Sequence, residues 1–496
     1  MLKIREVKTG SGKRAIQVIL YKDYKRIVLK HVGSASNPLD ISNLRTLAED
    51  FIKDYSRQLS IFPEYNPKAY LWVDYTECIG YYYRFFYDVI ENLMEQVGLG
   101  SLSTKLFRDL VVIRIFEPAS KLRSIELLED YFGIVHRRQG YYKEAKKWLQ
   151  LKDKVQDIVL SFAQQEYGFD HTLLFYDVTT LYFETFESDE LRTPGFSKDS
   201  KSQQPQILVG LMVNKDGFPI AFDIYPGNTF EGNTMIPIIK AFIKRNGVKN
   251  LTVVADAAMI STDNINELRN EGIHYIVGAR LGNLSNDLFE TIDSKIIRED
   301  GKIIRVNTDK GHLICSFSSA RYRKDKHEME KQIIKARSIV NHPSRNKKAK
   351  FVKANKELLV FNEDLLAKST KLLGLKGYYT DLDESTVAAT QIIRIYHELY
   401  KIEHAFRIAK SDLETRPIFH YKEDPIKLHL LICFIALVIS KHIELKTGLS
   451  TKKFIAECRR IIDARMHNMI TQKQAIIKGR ITKNAEEILS QLNIPH

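Results

Sequence analysis

The chain has 496 residues, 44% of them hydrophobic, enough for two to four domains with real cores. Its 75 Lys and Arg against 61 Asp and Glu leave a net charge of +14 and a pI near 9.2, which points to a polyanion: nucleic acid or an acidic membrane surface. Cys78, Cys315, Cys433 and Cys458 are scattered without CxxC spacing, which argues against a zinc site and for a reducing compartment. The first residues, MLKIREVKTGSGKR, lack the apolar core of a signal peptide, and the longest apolar run, Leu430 to Ile439, is too short to span a bilayer. The expectation is a cytoplasmic, nucleoid-associated protein with no membrane partner.

In chain order, Ala15 to Leu20 and Arg26 to Val32 are β-branched runs around Lys22-Asp23-Tyr24, predicting a hairpin. From Ile41 the pattern turns helical, and 101–122 predicts an amphipathic helix stopped before Pro118. The basic, aromatic stretch His136 to Lys154 is either a solvated helix face or a helix whose Lys and Arg neutralise DNA phosphates. Residues 1–165 are expected to form an α+β DNA-binding region.

HTLLFYDVTTLYFET (171–185) is an apolar, β-branched strand with Asp177 in its middle. Asp is depleted in strands and costly to bury alone, so Asp177 is either a salt-bridge partner or a metal ligand. PQILVGLMVN and FPIAFDIYPG, joined by Lys215-Asp216-Gly217, predict a hairpin. A helical run from Asn233 to Lys244 follows. LTVVADAAMIS (251–261) reads as a buried parallel strand ending at Asp256, with Ser261 or Thr262 capping the next helix, and 273–280 reads as one more strand. A carboxylate at the carboxyl end of a parallel strand stands where α/β sheets place their sites. Three antiparallel strands, helix, strand, helix, strand is the order of a ribonuclease H-like core, a mixed five-stranded sheet with flanking helices. Its parts are expected over 166–280 and 377–445.

Residues 281–376 are expected to interrupt that core as a β-rich, basic insertion. Within it 295–319 alternates like a small antiparallel sheet with a turn at Asp300-Gly301, and 321–338 predicts a very basic helix. That charge is either a solvated face or a clamp on DNA phosphates. The stretch 396–416, YHELYKIEHAFRIAKSDLETR, lacks Pro and Gly and predicts one helix. On it Tyr396, Glu403 and Lys410, seven apart, drift only about 20° per step, and Arg407 lies one turn beyond Glu403. An apolar helix over 427–444 and a helical, basic region over 446–496 complete the chain.

Here the chain resembles a family: the DDE transposases of bacterial insertion sequences, in the branch with a Y-R-E-K signature and a β-rich insertion before the last acid. Tyr396, Leu399, Glu403 and Lys410 stand at the signature positions, so three of four match, with Leu399 in place of Arg. YDVTT (176–180) and VVADAAMIS (253–261) resemble the segments around the family's first and second Asp. GFSKD (195–199), YPGN (225–228), IEHAFRIAKSDLETRP (402–417) and LHLLICFIALVI (428–439) are similar too.

The resemblance implies a catalytic and metal-binding triad of Asp177, Asp256 and Glu403. It also implies contacts to the transposon-end strand from Tyr396 and Lys410, with Arg407 or Arg394 left to replace the signature Arg. Lys198 is a further expected phosphate contact. Two Mg²⁺ ions, replaceable by Mn²⁺, suit the chemistry, because clamping the attacking and leaving oxygens of a phosphodiester takes hard cations held by carboxylates. Asp223, Asp263 and Glu398 fit the triad less well by position. The implied partners are double-stranded DNA, as transposon ends and target, and a second copy of the chain on that DNA. The alternatives are a ribonuclease H-like nuclease without strand transfer, and a catalytically silent DNA-binding protein derived from a transposase.

Overall fold

In a computed structural model of the chain, the residues described are 2–22, 25–56, 75–102, 104–196, 203–259, 261–342, 349–355, 358–469 and 472–495. They form two compact units. The smaller comprises Met1–Phe86, Asp130–Gly133 and Glu457–Glu486, and the larger holds the rest. These units cut the chain differently from the functional segments expected from the sequence.

The smaller unit starts with β1 (Leu2–Lys8), β2 (Arg14–Lys22) and β3 (Lys25–Ala35), an antiparallel sheet in sequence order in which Ala15, Ile16, Val18 and Ile19 of β2 are buried. Helix α1 (Pro38–Ser56) lays Ile41, Leu44 and Ala48 on Ile16 and Val18. The β2–β3 hairpin is the one read from the sequence, although its turn residues 23 and 24 lie outside the described ones. β4 (Thr76–Tyr82) belongs to a second sheet, described below.

The larger unit contains the helices α3 (Lys105–Phe116), α5 (Arg138–Leu149) and α6 (Lys152–Tyr167), and most of α2 (Arg84–Val97) and α4 (Lys121–Phe132). As expected, α3 stops short of Pro118. In α5, Tyr141 and Trp148 are core residues, while Tyr142, Lys143, Lys146 and Lys147 face outward.

The sheet of this unit starts with β5 (Leu173–Tyr182), β6 (Thr193–Pro194), β7 (Pro205–Val213) and β8 (Pro219–Pro226). β7 and β8 turn at Asp216-Gly217, where Gly217 takes φ +77. After α7 (Met235–Asn246) come β9 (Thr252–Ala255), α8 (Thr262–Asn270) and β10 (His274–Ala279). Ser261 is the cap of α8: its hydroxyl accepts the Asn264 N–H at 3.0 Å. β9 pairs parallel with both β5 and β10, so β8, β7, β5, β9 and β10 lie side by side in that order. These short strands carry continuous Val, Ile and Leu, as expected of a sheet covered on both faces.

The sheet does not end there. Beyond α9 (Asn286–Lys295), β11 (Ile303–Thr308) and β12 (Gly311–Phe317) form a hairpin turning at Asp309-Lys310. Asp300 precedes the hairpin, and its carboxylate accepts the Ser319 N–H at 2.6 Å where α10 (Ser319–Asn341) begins. A small pair, β13 (Val352–Asn355) with β14 (Leu358–Phe361), and α11 (Glu363–Lys371) lead to β15 (Leu375–Thr380). β15 pairs antiparallel with both β12 and β10, giving nine strands in one sheet rather than five. The apolar run Leu313, Ile314 and Cys315 finds its burial by extending the main sheet instead of forming a separate layer.

Helices α12 (Ala389–His397) and α13 (Tyr400–Arg407) are followed by a π-helical turn over Ile408–Asp412. Helix α14 (Glu423–Thr447) is long and apolar enough to cross a membrane by length and composition, but 94% of its most apolar window is buried inside the fold. It packs on α3, α5, α6 and β8, with Phe434 stacked on Phe222 at 4.7 Å.

After α15 (Thr451–Cys458) the expected all-helical end is corrected: β16 (Asp463–Asn468) and β17 (Gln474–Ile477) precede α16 (Lys483–Gln491). β16 pairs with β17 on one side and with β4 on the other, making the second sheet of the smaller unit. The long-range pairing with β4 adds a second partner to a strand as polar as DARMHN. Phe434→Ala, which empties the contact between α14 and the sheet, is expected to cost about 3–5 kcal/mol. Urea unfolding followed by tryptophan emission checks it through Trp148, and an unchanged midpoint contradicts the packing.

Candidate active site

Asp177 lies in mid-strand on β5, flanked by buried Tyr176 and Val178. The parallel register ends with Tyr176 opposite Ala255; Asp177 is the next residue on β5, and Asp256 is the first residue after β9. Asp177 accepts the Val178 N–H at 2.8 Å, and Asp256 accepts the Ala257 N–H at 2.6 Å where β9 ends. The Tyr176 hydroxyl donates to Thr234 Oγ1 at 2.8 Å, anchoring β5 to the start of α7.

The third acid arrives on a broken helix. The sequence predicts one continuous helix over 396–416, but the chain turns at Glu398-Leu399, between α12 and α13. Leu399 is 6% exposed. It packs into the core, so this position faces inward rather than toward solvent. The π turn then shifts the phase again before Lys410. Tyr396, Glu403 and Lys410 therefore belong to three successive elements rather than one face. Ile402, Ala405 and Phe406 bury one side of α13, which packs against β5 and β7 and leaves Glu403 and Arg407 exposed.

Tyr396 connects the parts. Its hydroxyl lies 3.4 Å from Asp256 Oδ1, and its ring meets Tyr378 edge-on at 4.8 Å. Burial raises the Tyr396 pKa, and the charges of Asp256 and Asp177 raise it further. Lys376, on β15, places its ammonium 4.8 Å from the Tyr396 ring centroid and 5.5 Å from that of Tyr378. Burial and the nearby Arg321 pull the Lys376 pKa down, while the carboxylates of Asp256 and Glu403 pull it back up. Asp177, Asp256, Glu403, Tyr396 and Lys376 thus share one electrostatic neighbourhood. Lys376 was missed in the sequence reading because its strand reads as ordinary alternation within the insertion boundary.

The expected rivals are engaged elsewhere or lie elsewhere. Asp223 is paired with Lys152 at 2.6 Å, Glu398 with Lys401 at 2.5 Å, and Asp263 sits in the first turn of α8. Arg394 is exposed on α12, and Lys410 is half-buried in the π turn. Lys198 lies outside the described residues.

Among the described residues, no group of three or more His, Cys, Asp or Glu side chains is drawn together closely enough to form a complete metal cage. Mg²⁺ needs less than that: it is held by one or two carboxylates and keeps several waters. The carboxylates of Asp177 on β5 and of Asp256 just after β9 are oxygen donors of that kind. A cation, the Lys376 ammonium, already stands in the field of Asp256 and Glu403. The residues fit a hard divalent ion.

The family described as "Transposase DDE domain" matches residues 168–439, from just ahead of β5 to the middle of α14. The chain belongs to that transposase family. The match takes in Asp177, Asp256 and Glu403 together with the whole nine-stranded sheet of the DDE domain. A comparison with curated proteins finds no match. Among solved structures, a piggyBac transposase synaptic complex with hairpin DNA is similar at 12% identity, over 76% of this chain and 78% of that one. Its TM-score is 0.34, too low to carry any inference about this transposase.

Gly278 of β10 faces the Tyr396 hydroxyl, which a Cβ there would meet at 2.5 Å, with Ala257 Cβ and N at 3.2 Å. Gly278→Ala is expected to push the hydroxyl off Asp256 and to destabilise the domain by about 1–3 kcal/mol. Adding Tyr396→Phe should recover part of that loss in thermal unfolding. A Gly278→Ala protein as stable as wild type contradicts the geometry.

Proposed function

We propose that this transposase binds the terminal inverted repeats of its own insertion sequence, cleaves the DNA there and joins the ends to target DNA. The observation that supports the proposal is the parallel β5–β9 register, which ends at Tyr176 and Ala255 just ahead of Asp177 and Asp256, with α13, the helix of Glu403, packed against β5. The side-by-side order β8-β7-β5-β9-β10 supports a ribonuclease H-like core for these acids. Residues 281–376 are the insertion in this reading, and 1–165 and 446–496 supply further contacts to DNA.

Asp177 and Asp256 would hold a pair of Mg²⁺ ions, or Mn²⁺ in their place, with Glu403 completing the set. When bound, such ions supply Lewis-acid activation and neutralise charge on the scissile phosphate and its leaving oxygen. The chain's own part is positional. Tyr396 orients the Asp256 carboxylate through its hydroxyl, and Arg407 and Lys410 lie on the elements flanking Glu403, where their charges can grip phosphates on either side of the scissile bond. Lys198 belongs to the same phosphate-binding set. Two DNA ends need two such sites, so the working unit is a homodimer on DNA, acting on the nucleoid in the cytoplasm.

The test is a DNA substrate carrying the sequences that flank the gene, incubated with the protein and Mg²⁺. Wild type should cut at the repeat ends and give joined products. Asp177→Asn and Glu403→Gln should lose at least about a thousandfold in rate, a barrier increase of about 4 kcal/mol, while still binding the DNA. Equal cleavage by these variants contradicts the triad. Cut but never joined ends favour a nuclease, and binding without cleavage favours a silent DNA-binding protein.

A further inference from the structure

Lys376 is the feature that a carboxylate site alone does not explain. It arises from β15, the strand that links the sheet's central part to the β11–β12 hairpin. Its ammonium rests over two tyrosine rings, and both rings are fixed: Tyr378 by a hydroxyl contact with His397 Nε2 at 3.1 Å, Tyr396 by Asp256. Aromatic faces attract a cation without discharging it, so the rings hold the ammonium while leaving its three donors available. Asp256 and Glu403 are the negative groups that act on it.

The same side chain opens onto a cavity of about 550 Å³. Asp256, Tyr396 and Lys376 line it from the sheet, and Arg321, Lys350 and Lys368 line it from the helices and loop of the insertion. Gly278, opposite Tyr378, and Gly377, opposite Ala279, in the β10–β15 register keep the wall beside Lys376 low. One cavity thus joins three carboxylates, Asp256, Asp325 and Glu328, to four cations; Arg321 is paired with Asp325 at 3.3 Å, and Lys376 is the cation that lines the wall from the sheet beside Asp256.

A lysine in this position has two sets of partners. With no phosphate nearby, it rests on the two rings, and the charges of Asp256 and Glu403 favour its ammonium form. When a DNA strand enters the cavity, phosphate oxygens compete for the same ammonium, and a four-carbon stem lets it swing between them. We propose that Lys376 is a resident counter-cation of the carboxylate site: it competes with divalent ions for Asp256 until a DNA phosphate draws it away. Metal loading is then coupled to DNA binding, because the strand that needs the ions also removes their competitor. This inference rests on the assignment of Asp177, Asp256 and Glu403 as ion-holding groups.

The test measures Mn²⁺ binding to the full chain without DNA, by electron paramagnetic resonance of free manganese. Lys376→Met should bind Mn²⁺ roughly ten- to a hundredfold tighter than wild type, the size expected for removing one nearby positive charge. Lys376→Arg, which keeps the charge, should stay within about threefold of wild type. A DNA duplex should tighten Mn²⁺ binding by wild type more than by Lys376→Met. Urea unfolding establishes that each variant is folded, and Lys376→Gln serves if the methionine variant is not. A folded neutral variant that binds Mn²⁺ no tighter than wild type overturns the inference, as does Lys376→Arg binding as tightly as Lys376→Met. Mn²⁺ binding that survives Asp256→Asn and Glu403→Gln with Lys376 intact instead contradicts the assignment of the carboxylates themselves.

Discussion

The parallel pairing of β5 with β9 is the constraint on which the site depends. It aligns Tyr176 with Ala255, the residues just ahead of Asp177 and Asp256, from segments separated by three strands and a helix. A slip of one residue would turn one of these side chains to the opposite face, because side chains alternate along a strand. The register is held by burial on both strands. Leu174, Phe175 and Tyr176 of β5, and Val253, Val254 and Ala255 of β9, are almost fully enclosed. The Tyr176–Thr234 hydrogen bond adds a directional tie that apolar packing cannot give. The two carboxylates thus owe their proximity to apolar neighbours.

The second constraint is the break between α12 and α13. A straight helix from Tyr396 to Lys410 would keep one polar face, with Glu403 and Tyr396 side by side. The chain instead buries both Tyr396 and Leu399, at 6% exposure each, and restarts the helix at Tyr400. Tyr396 thereby turns inward to Asp256 and Tyr378, while Glu403 remains on the accessible side of α13. The π turn over Ile408–Asp412 follows directly and is tied down by Thr415, whose hydroxyl donates to the Ala409 carbonyl at 2.6 Å. Successive changes of helical phase let one short segment serve both the core and the site.

Much of this was legible from residues alone where the cause is local. Asp216-Gly217 between apolar runs announced the β7–β8 hairpin, and Ser261 announced the start of α8, because turn and cap chemistry act over a few residues. Asp177 drew notice because a carboxylate inside an apolar strand needs a reason. The misses are all non-local. Nothing in 303–317 says that β12 will pair with β15 and extend the main sheet, and nothing in DARMHN says that β4, almost four hundred residues earlier, will be its partner. The turn at Glu398-Leu399 escaped a reading by periodicity because neither residue is a helix breaker, so the turn comes from tertiary packing. Lys376 escaped because its meaning lies entirely in what surrounds it.

The central claim is that the β5–β9 register and α13 create one oxygen-ligand site for divalent ions at Asp177, Asp256 and Glu403. The most direct test is a crystal structure of the protein with DNA and Mn²⁺, using anomalous scattering to locate the metal. The account expects manganese peaks in contact with the Asp177 and Asp256 carboxylates, with Glu403 reaching one of them. Manganese bound elsewhere, with no peak touching either aspartate, would contradict it.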